Sequence, residues 1–371
     1  MKEYDVVVIG GGIAGSIASK ITAKAGLSTL MLEKDKIPRN KVCSGVQLKY
    51  MEKLIGEKIP KSKLCKNELK RVYIMTPKER KISGNIGLLN YWRSTFDYWL
   101  NQIAIDEGVE ILDNFTVKGI KKNKEKYIIK NSDYEYKAKY IIGADGLSPN
   151  CISRKTVYPT NFSDKITGAA INYYFEGNAN LEKNSLYIFY RKEFSNLMYS
   201  WVYYKDDELI IGTSGKENIN FFSEKFYEYI KKMFNLEGST VRREGYVTNC
   251  NGGICLGEDR MLLAGDAAGL LDLYRGVGMD IAAISGNLAG KSIVKAYEKD
   301  VSALRNYQIS SRKLIHQIER NNQKQNKRYS SDQALEDSLS FKNILKGSIT
   351  MGIAQMWNKF SSYEDFILLP P

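Results

Sequence analysis

The glycine-rich turn at residues 10–15 constrains this chain more than any other feature. The β-branched run Asp5-Val6-Val7-Val8-Ile9 enters the turn directly, and a continuous apolar run of this kind is typical of a parallel strand covered on both faces. The turn reads GGGIAG, a helix over residues 16–25 is predicted to end at Gly26, and a second strand over residues 28–32 places Glu33 at its end. Strand, turn, helix, strand and acid in this order indicate a Rossmann-type dinucleotide site.

Each residue of this fingerprint has a physical task. Gly10 permits the tight turn, Gly12 lets the backbone approach a pyrophosphate, and Gly15 lets the helix pack close to the sheet. The helix N-terminus supplies free N–H groups and a positive dipole for the phosphates. Glu33 is expected to accept hydrogen bonds from ribose hydroxyls. The neighbouring residues Ala14 and Lys34 complete the cofactor-binding set predicted in this region.

Two later segments carry Asp-Gly and Gly-Asp at the ends of predicted strands. Residues 139–142 lead to Gly143-Ala144-Asp145-Gly146, and residues 260–264 lead to GDAAG at 265–269, followed by Gly276, Gly278, Met279 and a small-residue helix. With the N-terminal turn, these segments resemble the large family of FAD oxidoreductases that includes the aromatic hydroxylases. The resemblance implies FAD as cofactor, with contacts from Asp145, Gly265, Asp266, Gly276, Gly278 and Met279. In that family the aspartate equivalent to Asp266 binds the ribityl chain, and glycines equivalent to Gly276 and Gly278 lie beside the isoalloxazine ring.

Within this group, residues 265–286 look like the geranylgeranyl reductase family. That family carries GDAAG, a proline, TGEGI and a helix ending in SG, whereas this chain has Leu273, Arg275 and Val277 in place of the proline, threonine and glutamate. The segment PRNKVCSG at 38–45 resembles the family's lysine and cysteine before glycines. The segment YSWVYY at 199–204 resembles its YxWxFP segment, which lines a lipid channel.

The resemblance implies a reductase that transfers hydride from reduced FAD to a carbon–carbon double bond of a prenyl-type lipid. It implies a catalytic, proton-side role for Cys43, cofactor contacts from Cys43, Ser44, Gly45 and Arg93, and substrate contacts from Tyr199, Trp201 and Tyr203. The residues themselves leave plainer interpretations open. Cys43 is also explained as a small buried hydrophobe, Arg93 as a surface arginine, and the aromatic strand as core.

Two other functions share the same fold, so the fold does not decide between them. One is a flavin monooxygenase or oxidase acting on an aromatic or natural-product substrate. The other is an electron-transfer module that passes electrons from a protein donor to a quinone. No second GxGxxG follows a strand, so we expect electrons to come from a diffusing donor, either NAD(P)H or a ferredoxin-like protein. Covalent cysteinyl attachment of FAD stays open.

Composition limits the kinds of site, the cellular location and the charged partners that we expect. The 371 residues include five cysteines and one histidine, His316, so no metal site is predicted, because the usual ligand clusters are missing. We find neither a signal peptide nor an apolar run long enough to cross a bilayer, and we expect cytoplasmic residence. The net charge of +13 is explained by a solvated lysine-rich surface or by attraction for anionic lipid, a phosphorylated substrate or an acidic electron donor. No nucleic-acid motif accompanies it.

The order of the motifs predicts an α/β protein with a discontinuous Rossmann-like FAD-binding domain. This domain comprises residues 1–62, 92–155 and 248–300, because its signatures lie near residues 10, 145 and 265. Residues 63–91 and 156–247 are predicted to form a second, β-sheet substrate domain, mixed or antiparallel, with strands over 69–76, 165–175, 185–190, 198–204 and 208–213. Residues 301–371 are predicted to form a helical C-terminal segment.

The last predicted helix has apolar residues at helical spacing along one face. These are Phe341, Ile344, Leu345, Ile349, Ile353, Met356, Trp357 and Phe360. Packing of this face against the body of the protein is the plain interpretation. Peripheral contact with a membrane, with Lys342, Lys346 and Lys359 at the flanks, is the alternative.

Overall fold

The computed structural model describes residues 2–147, 151–158, 168–248 and 253–369. Cys250, one of the five cysteines, and the first residues of the strand predicted over 165–175 lie outside the described residues. The strands are, in chain order, β1 (Lys2–Ile9), β2 (Thr29–Leu32), β3 (Val46–Leu48), β4 (Leu69–Met75), β5 (Lys81–Asn90), β6 (Glu110–Leu112), β7 (Gly119–Asn123), β8 (Lys126–Lys130), β9 (Glu135–Gly143), β10 (Gly168–Asn178), β11 (Ser185–Phe189), β12 (Ser200–Lys205), β13 (Glu208–Gly215), β14 (Glu237–Thr248), β15 (Gly257–Glu258) and β16 (Met261–Leu263). The helices are α1 (Ile13–Lys24), α2 (Met51–Ile55), α3 (Arg93–Asp106), α4 (Ile152–Val157), α5 (Ile219–Met233), α6 (Met279–Lys299), α7 (Ala303–Arg328), α8 (Asp332–Ser338) and α9 (Phe341–Phe360).

The first sheet is built around the predicted Rossmann unit. Strand β1 pairs in parallel with β2 on one side and with β9 on the other, and β9 pairs in parallel with β16. Val6, Val7 and Val8 have no exposed surface, as expected for a strand covered on both faces. The carboxyl ends of β1, β2, β9 and β16 therefore lie side by side. They bring together the glycine turn, Glu33, Asp145 and Gly265, whose positions in the sequence are far apart.

Small residues hold the two helices of this layer close together. A Cβ atom at Gly286 of α6 would lie 2.4 Å from the carbonyl oxygen of Ala14 in α1, and one at Gly290 would lie 3.0 Å from that of Ala18. Only glycine fits at the first of these positions without displacing backbone. The small-residue helix that the sequence predicts after Gly278 is thus the partner of the dinucleotide-binding helix.

The second sheet has the order β14-β10-β13-β12-β11-β4-β5-β3. Its central pairs are antiparallel, but β11 pairs with β4 in parallel, so the sheet is mixed, which is one of the two arrangements that the sequence left open. The α/β fold with a β-sheet second region and C-terminal helices is confirmed. The domain boundaries stay predictions. Strand β3, which follows the Cys43-Ser44-Gly45 segment directly, pairs with β5 at the edge of this second sheet.

The C-terminal helices differ in how they pack. Helix α7 buries Tyr307, Leu314 and Ile318 against the body of the protein. Helix α9 does the opposite with its apolar residues, seven of which are exposed. They are Phe341, Leu345, Ile349, Ile353, Met356, Trp357 and Phe360, while Ile344 is half-buried. The interpretation that this face packs against the protein is therefore wrong: α9 docks instead through Ala354 and Asn358, on its other side.

Candidate cofactor and substrate site

A cavity of about 540 Å³ lies where the carboxyl ends of the first sheet face the second sheet. Its size falls within the range of roughly 300–1,000 Å³ that is typical of ligand sites. Most of the predicted cofactor-binding residues line it. They are Gly10, Gly12, Ala14, Glu33, Lys34, Cys43, Arg93, Asp145, Gly265, Asp266, Gly276, Gly278 and Met279. Gly15, Ser44 and Gly45 are not among the lining residues.

The glycine turn has the geometry that a phosphate cradle requires. Gly10 has a φ of 104°, and a Cβ atom there would lie 2.4 Å from the carbonyl oxygen of Ala144. A Cβ atom at Gly15 would lie 1.9 Å from the carbonyl oxygen of Gly10, so only glycine allows this approach. Gly12 caps α1, and the first turn of that helix carries no acidic residue. The helix N-terminus therefore presents its N–H groups and dipole to the cavity without a competing carboxylate.

Glu33 is held in place by three donors, one of which is the Asp35 N–H, 3.1 Å from Oε1. The Gly11 N–H donates to Glu33 Oε2 at 2.8 Å, and Arg39 Nε donates to the same oxygen at 3.0 Å. Arg39 also pairs with Asp97, with 3.3 Å between Nη2 and Oδ2. Arg39 lies in the PRNKVCSG segment, and the spacing of the fingerprint does not assign it to the site. It nevertheless lines the cavity beside both Glu33 and Gly12.

Helix α3 braces the glycine turn and one wall of the cavity. Arg93 is 5% exposed and makes two hydrogen bonds of 2.7 Å to Asp97, one turn further along the helix. Asn101 Nδ2, one turn beyond Asp97, donates to the Gly11 carbonyl oxygen at 3.1 Å and to Ser16 Oγ at 2.8 Å. The surface interpretation of Arg93 is thus wrong, whereas its predicted contact with FAD stays a prediction.

Cys43 lines the cavity between Arg93 and the start of α6. Its Sγ lies 3.9 Å from Met279 Sδ. Burial by itself raises the pKa of the Cys43 thiol, but the Arg93 charge, the Gly45 N–H and the Lys41 charge outweigh it and lower the pKa below its ordinary value. This cysteine is therefore more acidic than an ordinary buried thiol.

The turn behind Cys43 is fixed from the second sheet. Gly45 has a φ of 59°, and a Cβ atom there would lie 2.0 Å from the Tyr91 carbonyl oxygen. The buried Tyr203 hydroxyl donates to the Ser44 carbonyl oxygen at 2.8 Å. Lys205, only 2% exposed, donates to the Tyr91 carbonyl oxygen, and burial lowers its pKa to about 8. Sequence reasoning missed Lys205, because a lysine at the end of a strand is ordinarily solvated.

The predicted substrate aromatics lie behind the cavity lining. Tyr199 donates to the Arg275 carbonyl oxygen at 3.2 Å, and Trp201 Nε1 donates to Asn172 Oδ1 at 3.0 Å. Neither they nor Tyr203 are among the residues that line the cavity, and their substrate contact stays a prediction. The apolar part of the lining comes instead from a set of small and aliphatic side chains. It includes Ala169, Ala170, Leu197, Met198, Leu271 and Leu273.

The two signature aspartates occupy different environments. Asp145 accepts hydrogen bonds from the Ser153 N–H at 3.0 Å and from Cys151 Sγ at 3.1 Å, and burial raises its pKa. Its carboxylate thus ties the end of β9 to the start of α4. Asp266 keeps a quarter of its side chain exposed, 3.7 Å from Lys41 Nζ. Asp266 therefore keeps part of its carboxylate accessible from the cavity.

A buried ion network supports the Gly276–Gly278 loop. Arg275 pairs with Asp280 at 2.6 Å through Nη2 and with Asp272 at 3.2 Å through Nε. All three side chains are at most 2% exposed. The Tyr50 hydroxyl donates to Asp280 at 2.5 Å. Arg275 stands where the geranylgeranyl reductase pattern has a threonine, and the two carboxylates neutralise its buried charge.

Comparison with known proteins agrees with this geometry. No protein-family model matches the chain. A digeranylgeranylglycerophospholipid reductase from Methanococcus vannielii is 27% identical over 312 residues, which cover 80% of this chain and 78% of the relative. A geranylgeranyl bacteriochlorophyll reductase-like structure from Thermoplasma acidophilum superposes with a TM-score of 0.80 at 23% identity, covering 93% of this chain and 96% of that one. A variant of the halogenase PltM in complex with FAD superposes with a TM-score of 0.71 at 16% identity, covering 96% of this chain and 82% of that one.

These comparisons confirm the fold, which is shared with FAD-dependent enzymes. The resemblance to geranylgeranyl reductases that the PRNKVCSG and GDAAG segments indicate is confirmed by curated relatives over about four-fifths of the chain. The chain is a homologue of the digeranylgeranylglycerophospholipid reductases and has the fold of the FAD-dependent oxidoreductases.

Proposed function

We propose that this protein is an FAD-dependent oxidoreductase that reduces carbon–carbon double bonds of a prenyl-type lipid. One observation carries the proposal. One cavity brings together the glycine turn at the start of α1, the Glu33 carboxylate, the Cys43 thiol beside Arg93 and an apolar wall. Curated relatives are named as reductases of a geranylgeranyl lipid. These names favour double-bond reduction over oxygenation or quinone reduction.

The residues present fit FAD. The Gly10–Gly15 cradle and the start of α1 would hold the pyrophosphate, and Glu33 with Arg39 would hold the adenosine ribose. Asp266 would bind the ribityl chain, and the Gly276–Gly278 backbone would face the ring. When bound, FAD supplies the hydride chemistry, while the protein supplies binding, orientation and electrostatics.

In the proposed reaction, the protein itself supplies a proton donor and an apolar surface that excludes water. Cys43 Sγ would donate the proton to one carbon of the double bond, since Arg93 and Lys41 stabilise the thiolate that remains. The apolar side chains of Leu197, Met198 and Leu273 would position the prenyl chain and exclude water. A nicotinamide or a ferredoxin-like protein would supply the electrons.

The test is an anaerobic half-reaction. The protein, loaded with FAD and reduced with dithionite, is mixed with a geranylgeranyl lipid while the flavin absorption and the product mass are followed. Reoxidation with a gain of two hydrogens per reduced double bond is expected. A flavin that stays reduced until air enters, and then hydroxylates an aromatic substrate, contradicts the reductase and supports the monooxygenase.

A pair of cysteine variants tests the proton donor. Cys43→Ala is expected to slow reoxidation by the lipid about a hundredfold or more, the scale of general acid catalysis. Cys65→Ala is the matched control, because Cys65 is a free thiol that does not line the cavity. Equal rates for the two variants would remove Cys43 from the mechanism without affecting the assignment of FAD.

A further inference from the structure

Helix α9 is apolar on the side that faces away from the protein. Its inner side is formed by Ala354 and Asn358, with half-buried Ile344, Gly347 and Met351 at the same helical spacing. The exposed apolar residues recur three and four positions apart along the opposite side, from Phe341 to Phe360. Ile353 is 63% exposed, Met356 69% and Phe360 91%. A contiguous exposed apolar stripe of this kind marks an interaction surface in a water-exposed protein.

The C-terminal end of the helix is tied to the body of the protein. Lys53 Nζ donates to the carbonyl oxygens of Asn358 and Ser361 at its C-terminal end. The chain after it is tied back, because Asn358 Nδ2 donates to the Ile367 carbonyl oxygen at 2.7 Å and Phe366 packs on Tyr50 with 5.3 Å between ring centroids. The exposed stripe therefore belongs to a helix whose C-terminal end contacts the body of the protein.

Charge identifies the surface that this stripe fits. Helix α9 contains Lys342, Lys346 and Lys359 and no acidic residue. Arg320 and Lys324 of α7 are also exposed, and Lys324 lies near Arg320 and Lys346. The pKa of Lys324 is lowered, first by burial and then by the charges of Arg320, Arg328 and Lys346. Apolar side chains bordered by cations complement an anionic lipid surface, where the former enter the acyl boundary and the latter remain at the headgroups.

We propose that α9 docks the protein onto an anionic lipid bilayer, lying in its surface. Among the helices of the described residues, none is both long and apolar enough to cross a membrane. The tether through Phe366 and Tyr50 continues to Asp280 and Arg275, which support the Gly276–Gly278 loop of the cavity. The docked face is thus joined by direct contacts to the wall of the cavity. The proposal does not depend on the proposed reaction, because docking requires neither FAD nor substrate.

The test is flotation of the full-length protein with vesicles of two compositions. Equimolar phosphatidylcholine and phosphatidylglycerol vesicles are expected to carry the protein upward, and pure phosphatidylcholine vesicles to carry less of it. The variant Ile353→Ser/Met356→Ser/Phe360→Ser is expected to lose at least about tenfold in affinity. Lys342→Gln and Lys346→Gln are expected to lose about fivefold each on the anionic vesicles only.

The matched control is Phe221→Ser, which removes an aromatic side chain that is 62% exposed on α5. It is expected to leave vesicle binding unchanged. Thermal melting of all variants verifies the fold, since none of the substituted side chains is buried. Absence of binding by the native protein, or unchanged binding by the triple variant, would overturn the proposal. A native dimer in light scattering that the triple variant dissociates would also overturn it, because a second copy would then cover the stripe.

Discussion

Replacement of Arg275 by Met tests whether the buried ion network supports the cavity loop. Arg275, Asp272 and Asp280 are almost fully buried, and no other cation pairs with either aspartate among the ion pairs of the described residues. The substitution removes the charge but keeps an unbranched side chain of similar length. It leaves two carboxylates in the interior without a cationic partner, although Tyr50 still donates to Asp280 and Asn321 to Asp272. Breaking a buried ion pair in this way costs about 3–5 kcal/mol. Since domains are typically stable by only about 5–15 kcal/mol, the loss is a large fraction of the total.

The assay is urea denaturation of the FAD-free protein. The midpoint is expected to fall at an unchanged slope, because the substitution alters stability without altering the surface that unfolding exposes. The control is Lys122→Met, which breaks the exposed Lys122–Asp259 pair and is expected to change the midpoint little or not at all. A decrease of less than about 1 kcal/mol for Arg275→Met would refute the reasoning, because it would mean that the two carboxylates are solvated.

The same variant has a predicted pH dependence. Burial raises the pKa of Asp272 even in the native protein, despite Arg275. A carboxyl with a raised pKa binds more protons folded than unfolded, so its contribution to stability falls as the pH rises through the acidic range. Without Arg275 the pKa of Asp272 rises further. The loss of unfolding free energy caused by Arg275→Met is therefore expected to be smaller in acid than at neutral pH. A loss that is larger in acid would contradict the raised pKa of Asp272.

Three further predictions concern the cavity. Glu33→Gln is expected to weaken FAD binding about tenfold in equilibrium dialysis, because a charge-assisted hydrogen bond becomes a neutral one, and native affinity would exclude Glu33 from the ribose contact. Gly15→Ala is expected to destabilise the protein by about 1–3 kcal/mol in urea unfolding, because its Cβ atom meets the Gly10 carbonyl oxygen. Gly84→Ala is the control, because a Cβ atom at Gly84 has open space around it. Equal urea midpoints for the two variants would contradict the close approach at Gly15. Iodoacetamide is expected to alkylate Cys43 with a pH midpoint below that of an ordinary cysteine, because its pKa is lowered. Arg93→Gln is expected to raise that midpoint, and an unchanged midpoint would show that Arg93 does not set the pKa.

The local pattern of the sequence determined the elements that hold the candidate site. Residues 5–33 specify strand, turn, helix and strand, because periodicity, glycine conformation and strand burial are properties of neighbouring residues. The resemblance to FAD oxidoreductases assigned the later GDAAG segment to the same site, and in the structure β1, β2, β9 and β16 end side by side. The resemblance to a reductase family came from further short segments, and homologues confirm it.

Only the tertiary structure decided which side chains meet across these elements. The pairing of Arg39 with Asp97, the enclosure of Lys205 behind Gly45 and the hydrogen bond from Tyr50 to Asp280 are contacts between segments that spacing alone does not relate. The exposure of α9 was undetermined for the same reason, since helical spacing of apolar residues looks alike on a buried and on an unpartnered face. Periodicity fixes which residues share a side of a helix, but what that side faces depends on the rest of the chain.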